Sequence, residues 1–211
     1  MHAYGAISAL GASSLHFVTG TTGLKLGYKT EQVRARGGAQ AAAGGAAAAA
    51  GPVNSEQRDA SGVGAQEYRD VLAGTGAHSR QTGMLKEMVA LFAKAGRTLI
   101  WQQDGARAHT VSPKTKKGKA TRALIESLVF KLIDDWPAKS ADLSPIENVW
   151  AIVEHRLWTK FDWIDLDSFK RALRAAWKEV TGDLKLMRAL CGSWEKRREA
   201  CIAGKGKKVK Y

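Results

Sequence analysis

The sequence predicts a mixed α/β domain, on three observations. Residues 2–20 alternate loosely between small or polar and apolar, as paired strands do. A short apolar run at 98–103 lies between segments of helical periodicity, and the last third of the chain carries apolar stripes at helical spacing. The 211 residues suffice for one domain with irregular additions.

In order along the chain, 2–8 and 14–19 read as a hairpin, with Gly11 at its turn. Residues 24–66 change character: 37–51 is almost entirely Ala and Gly and has no apolar face, which predicts a flexible low-complexity insertion. Order is expected to return at 66–72. Met84, Leu85, Met88, Leu91 and Phe92 predict a helix over 84–95, closed by Gly96. A strand over 98–103 ends at Asp104-Gly105, a turn signal. The lysines between 112 and 120 predict a solvated basic loop, followed by a helix at 121–127, a strand at 129–133 and an irregular segment at 137–145. Three helices complete the chain. They span 145–158 (Ile146, Val149, Trp150, Val153, Leu157), 166–180 (Phe169, Leu173, Trp177, Val180) and 183–202 (Met187, Leu190, Cys191, Trp194). Aromatics at that spacing read as core. Residues 203–211 form a basic tail.

Hydrophobic residues make up 45% and charged residues 25%, ordinary globular usage. No apolar run approaches the roughly 18 residues of a membrane span, and residues 1–5 lack the pattern of a secretory leader. The expectation is a nuclear protein in a eukaryote, a cytoplasmic one otherwise, neither secreted nor in a membrane. Cys191 and Cys201 read as packing residues, without a disulfide or a zinc-ligand pattern. With 33 Lys and Arg against 20 Asp and Glu, the net charge is +13. Such an excess suits either a polyanionic partner or a solvated basic surface.

Two segments stand out, Trp101-Gln-Gln-Asp104-Gly-Ala-Arg-Ala-His109-Thr110 and Trp136-Pro-Ala-Lys-Ser-Ala-Asp-Leu-Ser-Pro145-Ile-Glu147-Asn148-Val-Trp150. Together they resemble the second and third acid motifs of the Tc/mariner superfamily of DDE transposases, with Ala141 and Ser144 as mild departures. Residues 3–20 resemble the hairpin that follows the family's first acid, and 205–211 its closing tail. The 42 residues between the acids are more than is usual in the family, and the lysine-rich loop at 112–120 accommodates the surplus.

That resemblance implies a ribonuclease-H-like fold of the retroviral integrase superfamily, a mixed sheet with flanking helices, over residues 1–211. It implies Asp104 and Glu147 as catalytic and metal-binding acids. His109 and Asn148 would support them, and Mg²⁺ or Mn²⁺ would be held by oxygen ligands in a two-metal site. DNA is the implied partner, with Lys114, Lys116, Lys117, Lys119, Arg197 and Arg198 available to phosphates and no small-molecule substrate.

Plainer readings stand beside these. Asp104 before a glycine suits an ordinary turn. Ser144-Pro145-Ile146-Glu147 fits a capping box, with Glu147 bonding back to the Ser144 amide. His109 suits a hydrogen-bonded surface histidine, Gln102 and Gln103 a polar strand edge, Glu154 a solvated face, and the basic residues an exposed helix end and loose tail.

In the family the first acid lies on a central strand before the hairpin, a position that would precede Met1. The resemblance therefore implies an incomplete sheet and acid set, an inactive enzyme domain, and reduced stability or reliance on another chain, as a homodimer or by complementation from another transposase chain. The alternatives are a non-enzymatic DNA-binding protein derived from a transposase, or a non-functional gene remnant.

Overall fold

A computed structural model describes residues 1–18, 63–104, 106–128, 131–133, 136–137 and 140–208. The predicted insertion lies outside the described residues except for its last four, and so do Thr19, Gly20, Gly105, Val129, Phe130, Ala138, Lys139 and the end of the basic tail. The architecture is mixed α/β. None of the described helices is long and apolar enough to cross a membrane.

The N-terminal hairpin forms with an interruption. Strand β1 (His2–Tyr4) pairs antiparallel with β4 (His16–Val18), and β2 (Ile7–Ser8) with β3 (Gly11–Ala12). Between the two pairs, Gly5 and Ala6 oppose three residues, Ser13–Leu15, so the returning strand carries one extra residue, a bulge. The Ser13 hydroxyl accepts from the Ala6 amide at 2.9 Å and holds it. The turn is centred on Ala9-Leu10, and Gly11 follows it at φ 141°, a conformation that favours glycine.

The hairpin separates two cores because alternate residues point to opposite faces. On one side Ala6 and Val18 pack with helices α1 (Ala65–Ala73), α2 (Met84–Ala93) and α3 (Lys116–Glu126), through Tyr68, Val71, Leu72, Met84, Leu85, Met88 and Ile125. On the other, Leu15 packs with α4 (Pro145–Lys160), α5 (Leu166–Gly182) and α6 (Leu184–Gly192), through Val149, Val153, Leu157, Ala172, Ala176, Trp177, Val180 and Met187. Trp177 clamps the hairpin: its indole N–H donates to the Ser13 carbonyl at 2.8 Å, and a Cβ on Gly5 would stand 2.6 Å from its ring.

Strand β5 (Ile100–Trp101) pairs parallel with β6 (Lys131–Leu132), and α3 connects them. β5 is shorter than the expected 98–103, and the first two residues of the strand expected at 129–133 lie outside the described residues. Among the described residues the hairpin and this parallel pair are not joined into one sheet. Among the described residues β1 pairs with β4 and β5 with β6, and residues of both β1 and β5 line one groove.

Two helical boundaries correct the sequence reading. Lys116, Lys117 and Lys119, expected in a loop, lie in the first turn of α3, which begins five residues earlier than predicted because the Thr115 hydroxyl caps it, accepting from the Gly118 amide at 3.0 Å. The single helix expected over 183–202 is two, α6 and α7 (Trp194–Ala203), separated by Ser193. At that break the Ser193 hydroxyl donates to the Leu190 carbonyl at 2.6 Å, bonding back toward the preceding turn.

Candidate functional site

The groove holds about 640 Å³ between the hairpin and the parallel pair. Ala3 and Tyr4 of β1 form one wall, and Ile100 and Trp101 of β5 another. Met84 and Met88 line it from α2, and Pro145, Ile146, Glu147 and Trp150 from the start of α4. Asp104 and Glu147 both line it, and they are the acids that do so among the described residues. Trp136 and Trp194, with tilted rings 5.4 Å apart, also lie on its wall, so Trp194 and Trp150, expected as plain core, border the groove.

Asp104 lies three residues beyond the end of β5, after Gln102 and Gln103. Its Oδ1 accepts from the Ala106 amide at 3.2 Å, the turn bond its sequence suggested, and lies 2.5 Å from Nδ1 of His109. A short 3₁₀ turn, Arg107–His109, brings the histidine back. None of the hydrogen bonds among the described residues ends on the second carboxylate oxygen. The bond to His109 holds the Asp104 carboxyl below the usual carboxylate range, against the opposing effect of burial.

His109 is itself fixed by aromatics, with the Tyr68 ring 4.2 Å away and the Tyr4 ring 5.6 Å away edge-on. Tyr4 is pushed up to about 12 by burial and by the nearby charges of Asp104 and Glu67. Gln103, expected as a polar strand residue, ties the cluster together. Its Oε1 accepts from the Tyr68 hydroxyl at 2.8 Å and the Trp101 indole at 3.0 Å, and its amide donates to the His109 carbonyl. Sequence reasoning missed this role because the three partners lie at unrelated separations.

Glu147 stands in the first turn of α4, with Pro145 opening the helix. The capping box expected at Ser144 does not form: the Ser144 side chain accepts no helix amide and instead lies 3.5 Å from Oε1 of Gln102. Glu147 is thus not consumed by capping. Its backbone amide donates to the Ser144 carbonyl at 3.2 Å, while its exposed carboxylate faces the groove. Partial burial raises its pKa, and the charge of Asp104 raises it further. Asp104 thus lies near enough for its charge to act on Glu147.

Asn148 turns away from the groove and accepts from Arg197 at 2.7 Å. Arg197 corrects the sequence reading. Expected at a phosphate-binding surface, it is 3% exposed and donates internally to Ser193, Asp142 and Asn148. Arg198 is exposed and pairs with Glu195 at 2.7 Å. Lys114, Lys116, Lys117 and Lys119 are all exposed. A second cavity of about 610 Å³ shares Asp104 and His109 with the groove and runs past Ser112 and Pro113 toward that lysine segment. Glu154 is exposed, as expected.

No group of three or more His, Cys, Asp or Glu side chains among the described residues is arranged to hold a metal ion. Asp104 and Glu147 are a pair, which suits Mg²⁺ because that ion keeps several waters on one or two protein carboxylates. Two like charges lining one groove, with Glu147 raised first by burial and further by the charge of Asp104, are a donor set that a divalent cation would relieve.

Comparison with known proteins bears on what such a pair is for. No family model matches the chain. It is 30% identical over 112 residues to the Tc3 transposase of Caenorhabditis elegans, a match covering 53% of this chain and 31% of the relative. It is 32% identical over 119 residues to the Tcb1 transposase of Caenorhabditis briggsae, covering 56% and 40%. About half of this chain is a Tc1/mariner-type transposase-like region. The Tc1 transposase of Caenorhabditis elegans agrees, at 30% identity over 116 residues and 38% of its length. The transposase-like match thus spans less than half the length of each curated relative.

Proposed function

We propose that the groove is a transposase-derived phosphodiester site, in which Asp104 and Glu147 hold a divalent cation beside the DNA backbone. The observation that carries this reading is the shared groove: two carboxylates with 42 residues between them in sequence line one cavity, and the charge of Asp104 adds to the upward shift of Glu147. The similarity to Tc1-type transposases supports it, as does the mixed architecture, which suits a ribonuclease-H-like ancestry in which a parallel pair and a helix start carry the acids.

In this reading Asp104 binds through the oxygen that neither His109 nor Ala106 engages, and His109, wedged against Tyr68, keeps that carboxylate turned and ionised. Glu147 closes the pair from the opposite element, with its carboxylate free of the helix cap. The bound cation would supply charge neutralisation at the phosphate and a lowered pKa for the attacking water or 3′-hydroxyl. Lys114, Lys116, Lys117 and Lys119 carry the DNA beyond the acids, along the second cavity.

Because the described part of the groove is lined by two acids, the reading assigns this polypeptide cation and duplex binding without strand cleavage of its own. The test is a binding and nicking assay on the purified chain. Binding to duplex DNA should weaken steeply with salt, with a log–log slope of about −0.9 per phosphate neutralised; a flat slope, or no binding at low salt, rejects the DNA partner. Mn²⁺-dependent nicking abolished by both Asp104→Ala and Glu147→Ala would overturn the assignment as a non-cleaving domain.

A further inference from the structure

We infer that Arg197 is a positioning residue for Glu147, an inference that rests on the groove being a cation site. Arg197 lies in α7, 50 residues beyond Glu147 in sequence, yet it is 3% exposed and packed against the start of α4. Its guanidinium donates to acceptors on three separate segments. Nε donates to the Ser193 hydroxyl at 2.7 Å, which anchors the arginine at the α6–α7 break. One terminal nitrogen donates to the Asp142 carbonyl at 3.1 Å, in the 3₁₀ turn 141–143 that leads into α4. The other donates to Oδ1 of Asn148 at 2.7 Å, the residue after Glu147.

This grip replaces what the helix start lacks. Ser144 does not cap α4 with its side chain, so within the helix itself the first turn has Pro145 and the backbone bond from Glu147 to Ser144. A planar donor fork that holds the turn before the helix and Asn148 within it fixes how far α4 can rotate at its first turn. Successive helical residues differ by about 100° in direction, so engaging Asn148 at the arginine points Glu147 to the neighbouring sector, where the groove and Asp104 lie. A lysine, with one compact ammonium, does not span acceptors so placed.

The experiment measures two things in wild type, Arg197→Met, Arg197→Lys and Met187→Ala: the affinity for Mn²⁺ alone, and amide hydrogen exchange over residues 140–148. Met187→Ala is the control for general destabilisation, since Met187 is fully buried in the same helical cluster but makes no contact of this kind. Arg197→Met and Arg197→Lys are expected to exchange faster at 140–148 and to bind Mn²⁺ about tenfold more weakly, while Met187→Ala changes neither. Wild-type exchange in folded Arg197→Met, or equal acceleration in Met187→Ala, would overturn the inference. If wild type shows no Mn²⁺ binding that Asp104→Asn and Glu147→Gln abolish, the cation site fails instead, and the exchange data alone still decide whether Arg197 holds the turn.

Discussion

His16 is fully buried on β4, and neither ring nitrogen finds a hydrogen-bond partner among the described residues. Burial lowers its pKa, and the neighbouring His78 and Arg174 lower it further, against the attraction of Glu87 3.9 Å away. A histidine whose folded pKa is depressed stays neutral while the unfolded chain takes up a proton. Stability contributed by its neutral form is therefore full above the unfolded value, near 6.5, and is lost as pH falls below it. Thermal melts from pH 7.5 to 5 should show that loss in wild type and a smaller one in His16→Leu. Glu87 would not be orphaned by the change, since the Ser14 amide and hydroxyl both donate to it at 2.6 Å. The acids of the groove shift in opposite directions, Asp104 down and Glu147 up. Protons should therefore displace a bound cation at Glu147 first, and Mn²⁺ affinity followed from pH 7 to 4 should fall in the Glu147 range before Asp104 titrates. At this scale the sequence was informative about Asp104 and Glu147, whose flanking residues are distinctive, and uninformative about Arg197, which reads as one more cation in a basic helix until its distant acceptors are in place.

Close approach of elements sets the strongest constraints. A Cβ on Gly83, at the start of α2, would lie 2.2 Å from the Ala73 carbonyl carbon and 2.5 Å from the Gly74 amide, so α1 and α2 meet backbone to backbone. Gly83→Ala should destabilise the chain by about 1–3 kcal/mol or more, read by urea denaturation, because backbone cannot give way as a side-chain tip can. Trp177→Phe should cost about 1–3 kcal/mol, since the buried Ser13 carbonyl loses its indole donor. Helices α2, α4 and α5 were legible because their apolar stripes repeat at helical spacing and pack as that spacing implies. The start of α3 was not, because three lysines in a first turn oppose the helix dipole and masked the Thr115 cap. The break between α6 and α7 was hidden for a related reason: Ser193 interrupts the path of the backbone without interrupting the apolar pattern.

For the whole molecule, the mixed α/β class was legible, but a joined sheet is not what the described residues form. Pairing partners depend on long-range register that a local pattern does not encode. Among the described residues β5 pairs with β6 alone, and its Ile100 is 61% exposed, whereas α4 and α5 bury Val149, Val153, Ala176 and Trp177. Amide exchange should accordingly be faster in β5 and β6 than in α4 and α5, and near-equal protection would speak against that division of stability. The account depends most on Asp104 and Glu147 meeting one ion across the groove. Anomalous scattering from a crystal of the protein soaked in Mn²⁺ measures this directly. A single peak within metal–oxygen bonding distance of both carboxylates is the predicted result, and peaks that touch only one of them, or lie outside the groove, would contradict it.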